Sequence, residues 1–494
     1  MKRTIVTVAL LMVVVFLMCA CSPSMKAPGW ENDSSMISDV NTGDNYQHED
    51  VVENGFVSPL EQPSSYFSLD RNTANYSLMR RQINMGMKLN ENSVRIEEWV
   101  NYFNYDYPRP TDDEALAVSG SLFDCPWNSD SKLMTIGVSA EEIQFGNKQN
   151  NIVFLIDTSG SMYGDDRLGL IQQAFTMLTE SLGDEDYISI VTYASGTRIA
   201  LDGARGTEKT RIANVIQDLE AGGSTNGAGG IELAYSEAEK YFVNGGNNRV
   251  ILATDGDFNV GISNKNELKN FISEKRQSGI YLSVLGVGMY NTNDTTMKTL
   301  AENGNGNYAY LDSVAEARKV LVEELDGTFN VVAKDSKIGV EFNADVVDKY
   351  RLIGYETKMM SEDDFNDEKK DAGEIGSGHT VTAVYEVQLK EGATGNIATA
   401  EVRFKDPETE ENKSVLKTFT TDELTATPNE DSVFIGCVVE FGLILRNSQY
   451  MGDANMASVI TRLEELQCTT ADGDPFKAEF LQIVVAAQGI YEGR

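Results

Sequence analysis

The chain has 494 residues, room for two to four domains, and its 41% hydrophobic and 24% charged residues are an ordinary globular composition that excludes a fibre or wholesale disorder. It carries 41 basic against 76 acidic residues, a net charge of −35, which repels nucleic acid and anionic lipid headgroups and sets both aside as partners. With His48 and His379 as its two histidines, the sequence holds no H-E-x-x-H and no zinc cluster.

At the start, Lys2 and Arg3 precede an apolar run, Ile5 to Met18, of signal-peptide length and too short to span a bilayer. The run ends Leu17, Met18, Cys19, Ala20, Cys21, which resembles a bacterial lipoprotein signal with cleavage after Ala20 and lipid on Cys21. It departs from the usual pattern at Met18, where leucine is commonest, and a plain secretory peptide is the alternative. Removing residues 1–20 takes away Lys2 and Arg3 and leaves 39 basic against 76 acidic residues, or −37. Two or three acyl chains on Cys21 would hold the protein to a membrane of the bacterial cell envelope. Residues 21–63 are rich in Ser, Asn, Asp, Gly and Glu, cannot offset the entropy of ordering, and read as a disordered tether.

Region 64–148 begins with two helical candidates. The second places Ile96, Trp99, Val100 and Phe103 on one face, with Asn92 or Ser93 as cap and Pro108 as stop. Tyr102, Phe103, Tyr105 and Tyr107 crowd its exit; packing against the next domain is expected over a carbohydrate platform. Leu116 to Val138 reads as two strands around Cys125, Pro126, Trp127 and Asn128.

Region 149–328 alternates strands (152–157, 187–193, 250–254, 281–285, 307–311) with helices, the clearest having Leu168, Ile171, Phe175, Leu178 and Leu182 on one face. Such alternation predicts an α/β fold with a doubly wound, mostly parallel sheet. The run Ile152 to Asp157 lacks polar alternation, as a strand buried on both faces does, and ligands in such sheets sit at strand carboxyl ends. There Asp157, Ser159 and Ser161 alternate along a turn. Thr225 lies in a Gly-rich turn, Gly222 to Gly227, and Asp255 ends a second buried strand. Two carboxylates and three hydroxyls are a donor set that hard divalent cations accept. Asp165, Asp166 and Asp257 lie close by and read as solvated loop acids.

After residue 328 the pattern changes to period two, at Ile338, Val340 and Phe342, at Val381, Ala383, Tyr385 and Val387, and at Ala400, Val402 and Phe404. Region 329–425 therefore predicts strands that join those before residue 148 in a β-sandwich, which the chain leaves and re-enters around the central block. Ser361 to Gly378 is an acidic loop. Region 426–494 is helical, with Phe434, Cys437, Val438, Phe441 and Leu445 on one face, and Pro475 opening the last helix behind Asp474. Cys437 and Cys468 both fall there, and a disulfide between them is expected on that ground. No Walker lysine follows the Gly222 turn, and nothing places His379 beside a cysteine as base and nucleophile.

The five residues Asp157, Ser159, Ser161, Thr225 and Asp255 match the metal-ion-dependent adhesion site of the von Willebrand factor type A domain. FSLDRNTANYSLMRRQIN, RIEEWVNYFNYDYPRP, GGSTNGAGGIELAY, RVILATDGDFNVG and AGEIGSGHTVTAVYE extend the match, so that residues 60–494 resemble bacterial lipoproteins carrying this domain between N-terminal and C-terminal regions of their own. The resemblance implies a divalent cation, Mg²⁺ before Mn²⁺ or Ca²⁺, held by the three hydroxyls with the two aspartates direct or through water. It implies a binding protein and not an enzyme, with a protein ligand whose exposed acidic residue completes the metal's shell. The alternatives are an assembly factor whose metal serves stability, and a hydrolase. The oligomeric state is not legible.

Overall fold

The computed structural model describes residues 52–111, 114–143, 148–224, 227–256, 265–288, 294–467 and 474–493, within the unit Asn45–Arg494. The first region supplies β1 (Ser64–Ser68), α1 (Ala74–Asn84), α2 (Ile96–Val100), β2 (Leu116–Asp124) and β3 (Lys132–Ala140). The central block runs β4 (Asn150–Asp157), α3 (Leu168–Ser181), β5 (Tyr187–Tyr193), β6 (Thr197–Arg205), α4 (Lys209–Gln217), α5 (Gly227–Lys240), β7 (Asn247–Thr254), α6 (Lys265–Gln277), β8 (Ile280–Gly286), α7 (Asp294–Asn303), β9 (Tyr308–Tyr310), α8 (Val314–Arg318) and α9 (Leu325–Phe329). Then come β10 (Val331–Phe342), β11 (Val347–Ile353), α10 (Glu362–Asn366), β12 (Gly373–Gly376), β13 (Thr380–Leu389), β14 (Asn396–Lys405), β15 (Asn412–Thr420) and β16 (Leu424–Thr425). Three helices close the chain, α11 (Glu430–Leu445), α12 (Met456–Glu465) and α13 (Pro475–Glu492).

The central sheet has the order β6-β5-β4-β7-β8-β9, parallel except for the β5–β6 pair. All eight residues of β4 are buried, because each face has its own cover. Ile152, Phe154 and Ile156 join the α3 side, where Phe154 stacks on Phe175 at 4.1 Å, while Val153 and Leu155 join Ile231 and Tyr235 of α5. That double burial is why the strand reads as an unbroken apolar run. Strand order reverses at β4, with β5 on one side and β7 on the other, so the carboxyl ends of β4 and β7 form the switch point at which sheets of this kind bind ligands. β6 escapes sequence reading because it is an edge strand that buries only Leu201 and Ala204 well.

Two antiparallel sheets flank the block, β1-β10-β14-β15 with β12 on β10, and β11-β13-β3-β2-β16, whose last pair is parallel. β3, before the block, pairs with β13, after it, setting Val138 opposite Val381 and Ile136 opposite Ala383. The sandwich is thus completed across the inserted block, and the predicted alternating residues of β10, β13 and β14 fill its core. β12 forms inside the acidic loop, which composition alone does not reveal.

Three sequence expectations change. Residues 52–63, read as the end of the tether, lie on the sandwich: Val57 exchanges two 2.9 Å backbone hydrogen bonds with Tyr350, and the Asn54 side chain donates to the Gly354 carbonyl. Short ladders of this kind leave no compositional trace. The second helix is only five residues, ends at Val100 well before Pro108, and starts after Arg95, whose amide donates to Asn75 Oδ1; Asn90 caps a separate 3₁₀ turn at Glu91–Ser93. The aromatic cluster is buried apart from Tyr107, which is half-buried, and it meets the central block as expected where the Tyr102 hydroxyl donates to Glu316 at 2.6 Å, but its rings also pack on the C-terminal helices: Phe103 meets Phe434 at 4.8 Å and Tyr102 meets Phe476 at 5.8 Å. Cys437 is buried in α11; Cys468 lies outside the described residues, as do residues 1–51, with the expected signal segment, the expected lipid acceptor Cys21 and most of the expected tether.

α2 also buries a carboxyl that makes stability depend on pH. Glu97 is 6% exposed, and neither its Oε2 nor that of Glu356 finds a hydrogen-bond partner among the described residues. Burial first, then the charges of Glu356 and Glu98, push the Glu97 carboxyl up to about 7, against the pull of Arg446 and Lys298. The folded value lies above the unfolded one, so the stability this proton contributes is complete below the unfolded value, about 4.3, and is lost as pH rises through about 7. The urea midpoint should therefore fall between about pH 5 and pH 8 by the equivalent of roughly 2 kcal/mol. Glu97→Gln should remove that fall; an identical pH slope in the variant would refute the assignment.

Candidate metal centre

Asp157 ends β4 and is fully buried, and Ser159 beside it is 1% exposed. The Ser159 amide donates to Asp157 Oδ1 at 2.8 Å, and the Thr254 hydroxyl donates to Oδ2 at 3.1 Å. The Ser159 and Ser161 hydroxyls stand 2.9 Å apart. β4 and β7 pair with Ile156 opposite Ala253, so Asp255, 2% exposed, follows the neighbouring strand end directly. The structure therefore brings Asp157, Ser159, Ser161 and Asp255 together at the carboxyl ends of β4 and β7. Thr225 and Asp257 lie outside the described residues. The loop that leads to Thr225 is bound to the serine loop: Gly160 N donates to Gly223 O at 3.0 Å and Gly222 N to Thr158 O at 2.8 Å. Gly223 has φ +86°, and a Cβ there would stand 2.5 Å from Ser195 Oγ, so both conformation and space call for glycine.

Burial is the main force raising the Asp157 carboxyl, and the charge of Asp255 adds to it; the Ser159 amide and hydroxyl and the Thr254 hydroxyl act the other way. Two buried carboxylates beside converging hydroxyls are electrostatically costly unless a cation joins them. The donors are all hard oxygens, with neither thiolate nor imidazole, which suits Mg²⁺, Mn²⁺ or Ca²⁺ and not zinc. Among the described residues no group of three or more His, Cys, Asp and Glu gathers to hold a metal, here or elsewhere, so any ion at this place would lean on hydroxyls as well as on the two aspartates. The residues present thus fit a hard divalent ion.

Sequence reasoning missed Thr254, whose only signal is its place before Asp255, and Arg167, whose guanidinium donates to the Ser161 carbonyl at 2.6 Å. Asp166 stays about half exposed, a loop acid as expected, and also pairs with Arg81 at 2.5 Å. Tyr163, on the same loop, is 81% exposed at the rim. A Cys–His nucleophile gains nothing here: burial, then Arg71, push the His379 imidazole down to about 3, and burial, then Glu386, push the Cys125 thiol up to about 12.

Comparison with known proteins gives three family matches: the von Willebrand factor type A domain over residues 151–324, a von Willebrand factor model over 42–135, and the C-terminal region of Uncharacterized protein YfbK over 327–397 and 388–490. Uncharacterized protein YfbK of Escherichia coli (strain K12) is 37% identical over 472 residues, covering 90% of this chain and 81% of that protein. Inter-alpha-trypsin inhibitor heavy chain H2 of Homo sapiens is 28% identical over 169 residues, 32% of this chain and 17% of that protein. Among solved structures, a von Willebrand factor type A protein from Catenulispora acidiphila aligns with 72% of this chain and 87% of its own at 15% identity, with a TM-score of 0.42.

Proposed function

The chain belongs to the von Willebrand factor type A family, with the YfbK kind of C-terminal region, and on that premise we propose that it binds a protein partner through a divalent-metal centre at the carboxyl ends of β4 and β7. Domains of this family often mediate protein interactions and typically hold a divalent cation. The observation that carries the reading is the convergence of two buried aspartates with the Ser159 and Ser161 hydroxyls at the sheet's switch point.

Ser159, Ser161 and Thr225 would hold the ion through neutral hydroxyls, with Asp157 and Asp255 behind them. A bound Mg²⁺, or Mn²⁺ or Ca²⁺, supplies concentrated positive charge with a position open to a carboxylate. Asp157 has both oxygens engaged by the Ser159 amide and the Thr254 hydroxyl, which favours support through water over direct contact. The partner chemistry that fits is an exposed Asp or Glu. The net charge of −35 opposes such a partner at long range, but screening at physiological salt acts over about 8 Å, so the contact decides. Lipid on Cys21 would place the centre at the cell envelope.

Crosslinking on intact cells, wild type beside Asp157→Ala, tests the reading. A partner captured by wild type and lost with chelator or in the variant supports it. A partner retained under chelator, with only the melting temperature lowered, favours the assembly-factor reading, in which the flanking regions hold the partner.

A further inference from the structure

The loop from Tyr163 to Arg167 joins the metal-site serines to α3, and its own backbone holds it by a few longer hydrogen bonds, Tyr163 N to Gly160 O at 3.3 Å, Arg167 N to Gly164 O at 3.3 Å and Gly169 N to Gly164 O at 3.1 Å. Gly164 sits at φ +141°, and Arg167, at the N-cap of α3, makes no side-chain capping hydrogen bond. Two guanidinium groups add shorter bonds to that hold. Arg167 Nη1 donates to the Ser161 carbonyl at 2.6 Å, and its side chain passes over Gly288, where a Cβ would stand 2.9 Å from Nε. Arg81 Nη2 donates to Asp166 Oδ2 at 2.5 Å, fixing the residue next to Arg167. Arg81 belongs to α1, outside the central block. That helix is itself tied to the block by Arg80, which pairs with Asp312 at 2.6 Å and Glu316 at 2.8 Å.

We infer that Arg81 and Arg167 are positioning residues of the metal centre. Through Asp166 and the Ser161 carbonyl they hold the Ser161 hydroxyl beside that of Ser159, so that metal affinity depends on a helix of the N-terminal region. The inference rests on the metal reading above. Charge alone predicts the opposite effect: removing a guanidinium near a bound cation lowers repulsion and should tighten binding. Loss of positioning weakens it, and groups that orient metal ligands are typically worth about tenfold or more in affinity.

The test is calorimetric titration of Mg²⁺ into the full chain, comparing wild type, Arg81→Gln, Arg81→Lys, and the exchanged pair Arg81→Asp with Asp166→Arg. Arg81→Gln should bind about tenfold more weakly, while Arg81→Lys and the exchanged pair regain most of the loss. The exchanged pair carries the test if Arg81→Gln fails to fold. Wild-type or tighter affinity in Arg81→Gln overturns the inference and leaves the metal centre standing. Failure of the wild type itself to take up Mg²⁺ overturns the centre.

Discussion

Arg80→Ala should lower the free energy of unfolding by about 3–5 kcal/mol, the range seen when one partner of a buried ionic cluster is removed. Arg80 is 2% exposed and joins three parts of the chain. From α1 it reaches Asp312 and Glu316 of the central block and Glu479 of α13, at 2.6, 2.8 and 2.9 Å. It also donates to the Tyr102 hydroxyl at 2.8 Å, and that hydroxyl donates to Glu316 at 2.6 Å. Burial alone would weaken its hold on the proton; Glu316, Asp312 and Tyr102 more than offset this, so the guanidinium is charged at every accessible pH. Alanine would leave Glu316, whose side chain is 1% exposed, as an uncompensated buried carboxylate. Lysine keeps the charge but cannot fork to several carboxylates, so Arg80→Lys should fall between the two. Urea unfolding at neutral pH measures all three proteins. A loss under about 1 kcal/mol in Arg80→Ala, the scale of an exposed ion pair, would mean that the cluster does not bind the three regions together.

The fold was legible where burial is uniform. β4 and the α3 face declare themselves because a strand covered on both faces must be apolar throughout and a packed helix apolar every third or fourth residue. The sandwich strands β10, β13 and β14 show through alternation, and their need of a partner sheet pointed to the strands before residue 148. β6, β12 and the segment around Val57 stayed hidden because each is short or solvated on one side and held by backbone pairing, to which side-chain pattern is blind. The short α2 misled because its apolar residues pack on α1 and α11 across a turn and not along one helix. Trp99 donates to Asn75 and meets Phe441 at 5.8 Å.

At the site, Asp157, Ser159, Ser161 and Asp255 were readable because their residue types sit at the ends of obvious strands. The supporting groups were not. Thr254 is an ordinary strand threonine until register sets it against Asp157. Arg81 lies 85 residues from Asp166, and only the tertiary fold joins them.

The largest functional effect is expected at Asp157. A unit charge a few ångströms from a divalent ion, at an effective dielectric near 20, contributes several kcal/mol, so Asp157→Ala should cost at least about 100-fold in metal affinity. Without metal the variant should stay near wild-type stability, because it removes a carboxylate whose ionisation its burial and Asp255 both oppose, which offsets the loss of the hydrogen bonds from the Ser159 amide and the Thr254 hydroxyl. The direct measurement is calorimetric titration of Mg²⁺ into chelator-stripped full-length protein, wild type beside Asp157→Ala, with metal-free melting curves of both. Wild type should take up the ion saturably, and Asp157→Ala should lose that uptake while melting in chelator near the wild-type temperature. Equal Mg²⁺ affinity in the two proteins, or a folded wild type that takes up no divalent cation, would contradict the account.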